Sequence, residues 1–395
     1  MHEAMIQSLT TQFEKRFNRK KGHIMFTPGR INILGHHSDY VPGHLLATTI
    51  NRGAYVMCHL RDDQEVHFYC SKSHTNKEAT FTIDDTEISA EASWTDYLKV
   101  IIQSLNQLSD FIHQGMDILL DWNLPFGAGL ATESAIISIL TMSLAYTYDI
   151  DLTDDEIGQV AYNAEQTLTR EATAKGKKAD YATHLKAHKD YTLYYSAITE
   201  ETELIPVFKR NGYSILLIDT LRNRQFNQMR YQRRIKECET ALTKFKEKLP
   251  IQQLTDLSLS EFERYRHLIN NPRLENRAKY VVYEHDRVSR AKEALRNKNV
   301  ELFNALINRS YESLRDLFEL TGYELDTIVE AANYLPGVLS VNATDGRMGG
   351  SAFAIVETAA IDAIKKELTK ISQEEIGLAP EFETTWFGDR SRILM

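Results

Sequence analysis

T-P-G-R-I-N-I-L-G-H-H-S-D-Y-V-P-G, residues 27–43, is the stretch on which the reading of this chain turns. It sets Arg30, His36, His37 and Asp39 close together, and Pro28, Gly29, Gly35, Pro42 and Gly43 punctuate it as a loop. Apolar segments flank it, H-I-M-F before and H-L-L-A-T-T-I after. Glycine lets backbone approach a ligand closely, and proline pre-sets a turn. Polar groups gathered on such a loop suit a small, hydroxyl-rich ligand. A tight turn carrying surface charges accounts for the same residues.

The whole chain narrows the choice. Its 395 residues are enough for about two domains. With 43% apolar and 26% charged residues it has the composition of a soluble globular protein. Lys and Arg total 46 against 55 Asp and Glu, a net charge of −9. That balance excludes a general nucleic-acid binder, which needs a basic surplus, though not a pocket for one mononucleotide. The three cysteines, Cys58, Cys70 and Cys238, are too few and too irregular for a disulfide framework or a zinc site. The N-terminal M-H-E-A-M-I-Q-S-L-T-T-Q-F-E-K-R-F reads as an amphipathic helix, and no segment offers the roughly 20 apolar residues that span a bilayer. A cytoplasmic protein without a membrane or nucleic-acid partner is expected.

Strand-like runs fall at Ile24–Phe26, Ile31–Leu34, Leu45–Leu60 and Glu65–Cys70, where β-branched and aromatic residues lie between turn signals. Trp94–Leu108 reads as helix and Gly115–Trp122 as strand. Residues 134–146 are apolar nearly all round, the pattern of a buried helix. Helices at about 154–173, a basic turn and a strand at Tyr191–Ser196 follow. A second strand-first unit opens at Tyr213–Asp219, and Ile235, Cys238, Leu242 and Phe245 then recur at helical spacing. The region 220–335 is almost all helix, and Ala352–Val356 reads as the final strand. The domain boundary falls near residue 205, giving domains 1–205 and 206–395.

Two further segments carry chemistry. L-P-F-G-A-G-L-A-T-E-S-A, residues 124–135, is a glycine-rich turn opening the buried helix, an arrangement whose free N–H groups bind phosphate. It lacks the Lys-Ser/Thr pair of a Walker loop, and close packing alone also explains its glycines. N-A-T-D-G-R-M-G-G-S, residues 342–351, bends before the last strand through Gly346, Gly349 and Gly350, and a plain turn is nearly as good a reading.

In this order the three segments resemble the galactokinases, within the small-molecule (GHMP) kinases that include homoserine, mevalonate and phosphomevalonate kinases. P-G-R-I-N-I-L-G-H-H-S-D-Y is similar to the family's P-G-R-V-N-L-I-G-E-H-T-D-Y, and S-W-T-D-Y-L-K-V-I (93–101) to W-x-x-Y-V-K-G-V. P-F-G-A-G-L-A-T-E-S-A resembles P-x-G-x-G-L-S-S-S-A. In the second half, D-T-L-R-N-R-Q-F-N-Q-M-R-Y-Q-R-R-I-K-E-C-E-T-A-L, E-H-D-R-V-S-R-A and S-L-R-D-L-F-E-L-T-G-Y-E-L-D-T-I-V continue the likeness along essentially the full chain.

The resemblance implies an α+β, two-domain GHMP kinase architecture. Its first lobe is ribosomal protein S5 domain 2-like, its second a ferredoxin-like α/β lobe, and the active site lies in the cleft between them. It implies transfer of the γ-phosphoryl of ATP, with Mg²⁺, to the anomeric hydroxyl of galactose. Such transfer needs positioning and charge stabilisation more than covalent chemistry. By the resemblance Asp180 is the catalytic carboxylate, able to accept the hydroxyl proton, and Arg30 the catalytic arginine that holds it ionised and offsets phosphoryl charge. His36, His37, Asp39, Lys177 and Tyr231 fall on or beside sugar-binding positions. Gly127, Ala128, Gly129, Leu130, Ala131, Thr132 and Ser134 form the nucleotide loop. Trp94 packs near adenine or in the core. Glu133 and Glu165 are the candidate Mg²⁺ ligands, a helix-surface carboxylate being the alternative for Glu165. The partners are a sugar and ATP, and the expected state is a monomer or weak dimer.

Every site motif also departs from the family pattern. His36 stands for a Glu, Lys177 for a Gly, and Ala131-Thr132-Glu133 for a serine run. Asn342 replaces an Arg, while Asp345 and Arg347 replace glycines. A carboxylate about 4 Å from phosphate is repulsive by roughly 4 kcal/mol at intermediate dielectric, whereas on Mg²⁺ it is a good hard ligand. These departures leave two alternatives open: a 1-kinase for a different or substituted hexose, or an impaired kinase-like sensor of sugar or nucleotide.

Overall fold

Two long antiparallel strands, β1 (His23–Leu34) and β2 (His44–Leu60), are the frame on which the first lobe is built. The computed structural model describes residues 2–19, 21–37, 40–72, 77–89, 93–109, 112–125, 127–169, 177–208, 212–221, 228–345 and 350–395. Helix α1 (His2–Phe17) precedes β1, and Leu9 and Phe13 pack onto Ile24, Phe26, Tyr55 and Met57. The far half of β2 pairs with β5 (Met116–Trp122), which runs parallel to β3 (Glu65–Cys70), itself paired with β4 (Glu78–Thr82). The near half of β2 pairs with β6 (Tyr191–Ser196), and β6 with β7 (Thr202–Pro206).

Of the segment read as a loop around the strand-like run Ile31–Leu34, only the part after Leu34 leaves the strand. Thr27–Leu34 continue β1, so Arg30 rides on a strand. The ladder to β2 shifts register between Pro28 and Arg30, where Pro28 faces Gly53 and Arg30 faces Thr49. Such an irregularity lets a strand carry a residue with no N–H to donate.

Helices α2 (Trp94–Ser109), α3 (Thr132–Thr147), α4 (Asp154–Leu168) and α5 (Lys178–Lys186) cover the inner face of this sheet. Helix α3 is buried along nearly its whole length, as its all-round apolar pattern requires. A Thr153–Glu156 capping box starts α4, which ends at Leu168; residues 170–173 of the expected helical stretch lie outside the described residues. Helix α5 was not foreseen, because K-A-D-Y-A-T-H-L-K has no clear apolar stripe.

The second lobe is a four-stranded antiparallel sheet, with β8 (Tyr213–Asp219), β9 (Val338–Ala343), β10 (Ser351–Glu357) and β11 (Glu381–Thr385) in the order β11-β8-β10-β9. Against it lie α6 (Gln228–Lys246), α7 (Leu259–Tyr265), α8 (Pro272–Arg296), α9 (Val300–Ser313), α10 (Tyr323–Asn333) and α11 (Ile361–Glu375). β10 is thus not the final strand. After β11 the chain crosses back, and β12 (Arg392–Ile393) joins the first sheet beside β1. A separate apolar core joins the lobes, where Ile31, Ile33, Leu46 and Leu130 meet Leu217, Val288, Phe303 and Phe353. Among the described residues no helix is long and apolar enough to cross a membrane.

Candidate active site

Arg30 is the hub of the cleft. Its Nε donates to Asp180 Oδ1 at 2.6 Å, its Nη1 to the Gly129 carbonyl at 2.8 Å, and its Nη2 to Asp345 Oδ2 at 3.2 Å. The guanidinium and the Asp180 carboxylate are both almost fully buried. Asp180 lies in the first turn of α5, and its Oδ2 accepts from the Lys177 backbone N–H at 3.2 Å. A helix N-terminus is a favourable place for a carboxylate, because aligned peptide dipoles put positive charge there. Lys177 Nζ stands 4.0 Å from Asp345 Oδ1, and its side chain is 3% exposed. Two cations and two carboxylates therefore meet at one point of the cleft.

The glycine turn is pinned from behind. Ala128 carbonyl accepts from Thr344 Oγ1 at 2.7 Å, and Leu130 carbonyl from the Arg30 N–H at 3.0 Å. Gly127 and Gly129 adopt positive φ, and Ala131 caps α3 in the left-handed region, an arrangement that costs a non-glycine residue roughly 1–2 kcal/mol. Only glycine fits at 129, where a Cβ would stand 2.5 Å from Thr344 Oγ1 and 3.0 Å from Asp345 Cβ. Ala128 and Leu130 bury their side chains in the interlobe core, so only their backbone can face a nucleotide. Thr132 Oγ1 donates to the Pro125 carbonyl at 3.0 Å and stiffens the turn, while Ser134 is buried. Glu133 is exposed on the first turn of α3. Glu165, on α4, is buried and accepts from Tyr181 Oη at 2.7 Å, which rules out the surface-carboxylate alternative. Burial raises the Tyr97 phenol against the opposing hydrogen bond of Thr169, with the charges of Glu165 and Glu133 adding to the rise. Trp94 packs against Tyr97 and Trp122, with ring centroids at 5.6 and 6.4 Å.

After Leu34 the sugar-signature loop turns on Gly35, where a Cβ would strike the His44 carbonyl. The Gly35 N–H donates to Glu284 Oε1 at 2.8 Å, and that oxygen also accepts from Ser310 Oγ at 2.7 Å. Glu284 comes from α8 and pairs with Arg287, so the second lobe holds this loop. His36 is buried, and among the described residues neither ring nitrogen makes a hydrogen bond. Burial pushes its imidazole down to about 4, against the opposing pull of Glu284 and Asp345. It is therefore neutral at pH 7, with one donor and one acceptor to offer a hydroxyl. His37 sits in an aromatic nest, 4.5 Å from Phe318, 5.6 Å from Tyr231, 5.7 Å from Tyr40 and 5.9 Å from Tyr280 between ring centroids. Asp39 and Arg347 lie outside the described residues.

The cleft thus brings together Arg30, Asp180, Lys177, Gly129 and His36, with His37 and Tyr231 beside one another. Two further residues belong with them. His184, one turn beyond Asp180, is fully buried, and burial takes it down to about 4 with Asp180 opposing. Glu284 was signalled by the Glu-x-x-Arg spacing of E-H-D-R, which places the two side chains on one helix face.

Residues 11–60 match the model described as the galactokinase galactose-binding signature, and residues 96–182 match the GHMP kinase N-terminal domain. The galactokinase of Staphylococcus saprophyticus is 30% identical, over 99% of this chain and 100% of its own length. That of Lactobacillus helveticus is 31% identical, over 95% and 96%. The chain belongs to the galactokinase family. The crystal structure of Lactococcus lactis galactokinase complexed with galactose superposes with a TM-score of 0.90 at 27% identity, covering 99% of this chain and 100% of that one. A mevalonate kinase structure shares the fold alone, with a TM-score of 0.66 at 16% identity. This galactokinase-family chain is accordingly an ATP-dependent sugar kinase of two-domain α+β architecture.

Proposed function

We propose that the protein phosphorylates galactose at its anomeric hydroxyl with Asp180 as base and Arg30 as its positioning and charge-stabilising partner. The contact at 2.6 Å between these two, buried in the interlobe cleft against the glycine turn, is the observation that carries this reading. In the reaction the C1 hydroxyl loses its proton to Asp180 as its oxygen bonds to the γ-phosphorus. The bond from that phosphorus to the β,γ-bridging oxygen breaks, and the electron pair leaves with ADP. Arg30, held by Asp180 and by the Gly129 carbonyl, has its charge already oriented, the condition under which electrostatic stabilisation is most effective. His36, neutral and lacking a protein hydrogen bond among the described residues, is suited to a sugar hydroxyl.

Among the described residues no group of three or more His, Cys, Asp or Glu could cage a metal. Glu133, in the first turn of α3 directly after the glycine turn, and Glu165, on α4, would be the hard oxygen donors to Mg²⁺ held by one or two carboxylates together with nucleotide phosphates. When bound there, the metal would supply charge neutralisation for the nucleotide phosphates. A sensor reading is not favoured, because the acid–base pair is intact and tightly made despite the altered loops.

The test is ADP release from Mg·ATP with a panel of hexoses. Turnover is expected with galactose. Turnover with another hexose alone, or with none, overturns the proposal.

A further inference from the structure

Two of the departures from the family's pattern, Lys177 and Asp345, stand where that pattern has glycine, far apart in sequence. In space they face each other at 4.0 Å, and Asp345 reaches Arg30 with its other oxygen at 3.2 Å. Its Cβ also lies against Gly129 of the glycine turn. The Asp345 carboxylate therefore sits between two cations, beside the turn and within reach of the arginine that holds Asp180. An anion with one oxygen toward a guanidinium and another toward an ammonium is what a terminal phosphoryl would be there.

Charge-assisted N–H···O contacts run about 2.7–2.9 Å. Arg30 to Asp180 is at least that short, while the contacts of Asp345 to Arg30 and to Lys177 are longer. We infer that Asp345 is an internal stand-in for the γ-phosphoryl, displaced when ATP binds, and that Lys177 is a second catalytic cation on that phosphoryl alongside Arg30. The pair is charge-neutral, so adding both residues together leaves the resting net charge of the site as it is with glycine at both positions. Once Asp345 is displaced, Lys177 gives the phosphoryl one more positive charge. This rests on the reading of the cleft as the phosphoryl-transfer centre, not on the identity of the sugar.

The experiment is calorimetric titration, without sugar, of the Mg²⁺ complexes of ADP and of the β,γ-imido analogue of ATP. The proteins are the wild type, D345N, D345G, K177M and the double variant K177G/D345G. Removing the competing carboxylate in D345N or D345G is expected to raise affinity for the triphosphate analogue about tenfold and for ADP much less. K177M is expected to lose most of the preference for the triphosphate and to lower kcat on the order of 10- to 100-fold, with KM for the sugar little changed. The double variant should bind the triphosphate more weakly than D345G. Thermal unfolding of each variant reports on folding.

The proposal is overturned if D345N and D345G leave the triphosphate-to-diphosphate ratio unchanged or lower it. It is also overturned if K177M keeps the wild-type ratio and kcat. Lowered melting temperatures with unchanged ratios would make the pair a purely structural clasp and sink it equally. Because the binding arm contains no sugar, a wild type that ignores galactose yet shows the expected shifts removes the galactose assignment and keeps this one.

Discussion

Two buried charge networks, one in the cleft and one in the second lobe, use the same residue types to different ends. In the second lobe Arg277 is fully buried, with Nε on Glu237 at 2.9 Å, Nη2 on Glu319 at 2.7 Å and Nη1 on the Leu317 carbonyl. Arg234 adds Nη1 to Glu237 at 2.8 Å and Nε to the Phe318 carbonyl. Burial opposes ionisation of Glu237, and Arg277 and Arg234 outweigh it, so its carboxyl sits below the usual range. Each arginine there is met by carboxylates and by main-chain carbonyls. The result clamps a π-helical turn, Leu314–Phe318, whose Phe318 ring packs on His37 and Tyr280. In the cleft the contacts are graded: one short pair, Arg30–Asp180, and two longer ones to Asp345. The second-lobe network holds a contact of similar length, Arg234 Nη2 on Glu319 Oε2 at 3.2 Å, so the difference lies in place: its carboxylates and carbonyls brace a helical turn, not a nucleotide turn. The cleft network keeps a place where an incoming anion can exchange with a resident one.

The sharpest way to break this comparison is Asp180→Asn. It is expected to lower kcat by about 10²–10⁴-fold, the usual worth of a general base. Nucleotide binding should persist, as read by calorimetry.

The opposite profile is expected for Arg277→Met. It leaves Glu237 and Glu319 short of a buried partner, and the loss of stability should be about 3–5 kcal/mol in urea unfolding. The fraction that remains folded should keep near-normal turnover. Loss of activity without loss of stability would erase the distinction between the two networks.

A pH titration of stability sharpens the contrast, because the cleft carries buried neutral imidazoles. His36 and His184 sit at about 4 in the folded protein, below the ordinary 6.5. Between those values the unfolded chain takes up protons that the folded one excludes. Stability is therefore complete above pH 6.5 and falls as pH drops toward 4, by up to about 3 kcal/mol per histidine. The urea midpoint against pH should flatten in His36→Asn and His184→Asn.

The smallest effect is expected from Glu133→Ser, which restores the serine of the family pattern. The Mg²⁺ concentration for half-maximal activity should rise a few-fold if Glu133 contributes a hard oxygen. An unchanged requirement would place Glu133 outside the metal site.

Strands of both lobes were legible in the sequence. Glu65–Cys70, Tyr191–Ser196 and Tyr213–Asp219 were read to the residue, because β-branched and aromatic runs end there at turn signals. Of the missed elements three lack clear signals, whereas β9 (V-L-S-V-N-A) and α11 carry them and were passed over. E-A-T-F-T of β4 is mostly polar, β12 is two residues long, and α5 has no apolar stripe. At the site, nothing in spacing could join Arg30 to Asp180, which only their resemblance to a known motif suggested. Lys177 and Asp345 read as two independent defects, and only the fold makes them a pair. His184 gave no signal at all, since a single histidine one turn after an acid is common on any helix.

The pairing of Met25 with Ile393 means that a ribosome must deliver the entire second lobe before the outer flank of the first sheet can close. Until then β1 offers an unsatisfied backbone rim, the kind of surface to which neighbouring nascent chains adhere and which chaperones shield. The two lobes of this kinase should therefore mature together, with the nucleotide turn acquiring its final support only when translation has passed both.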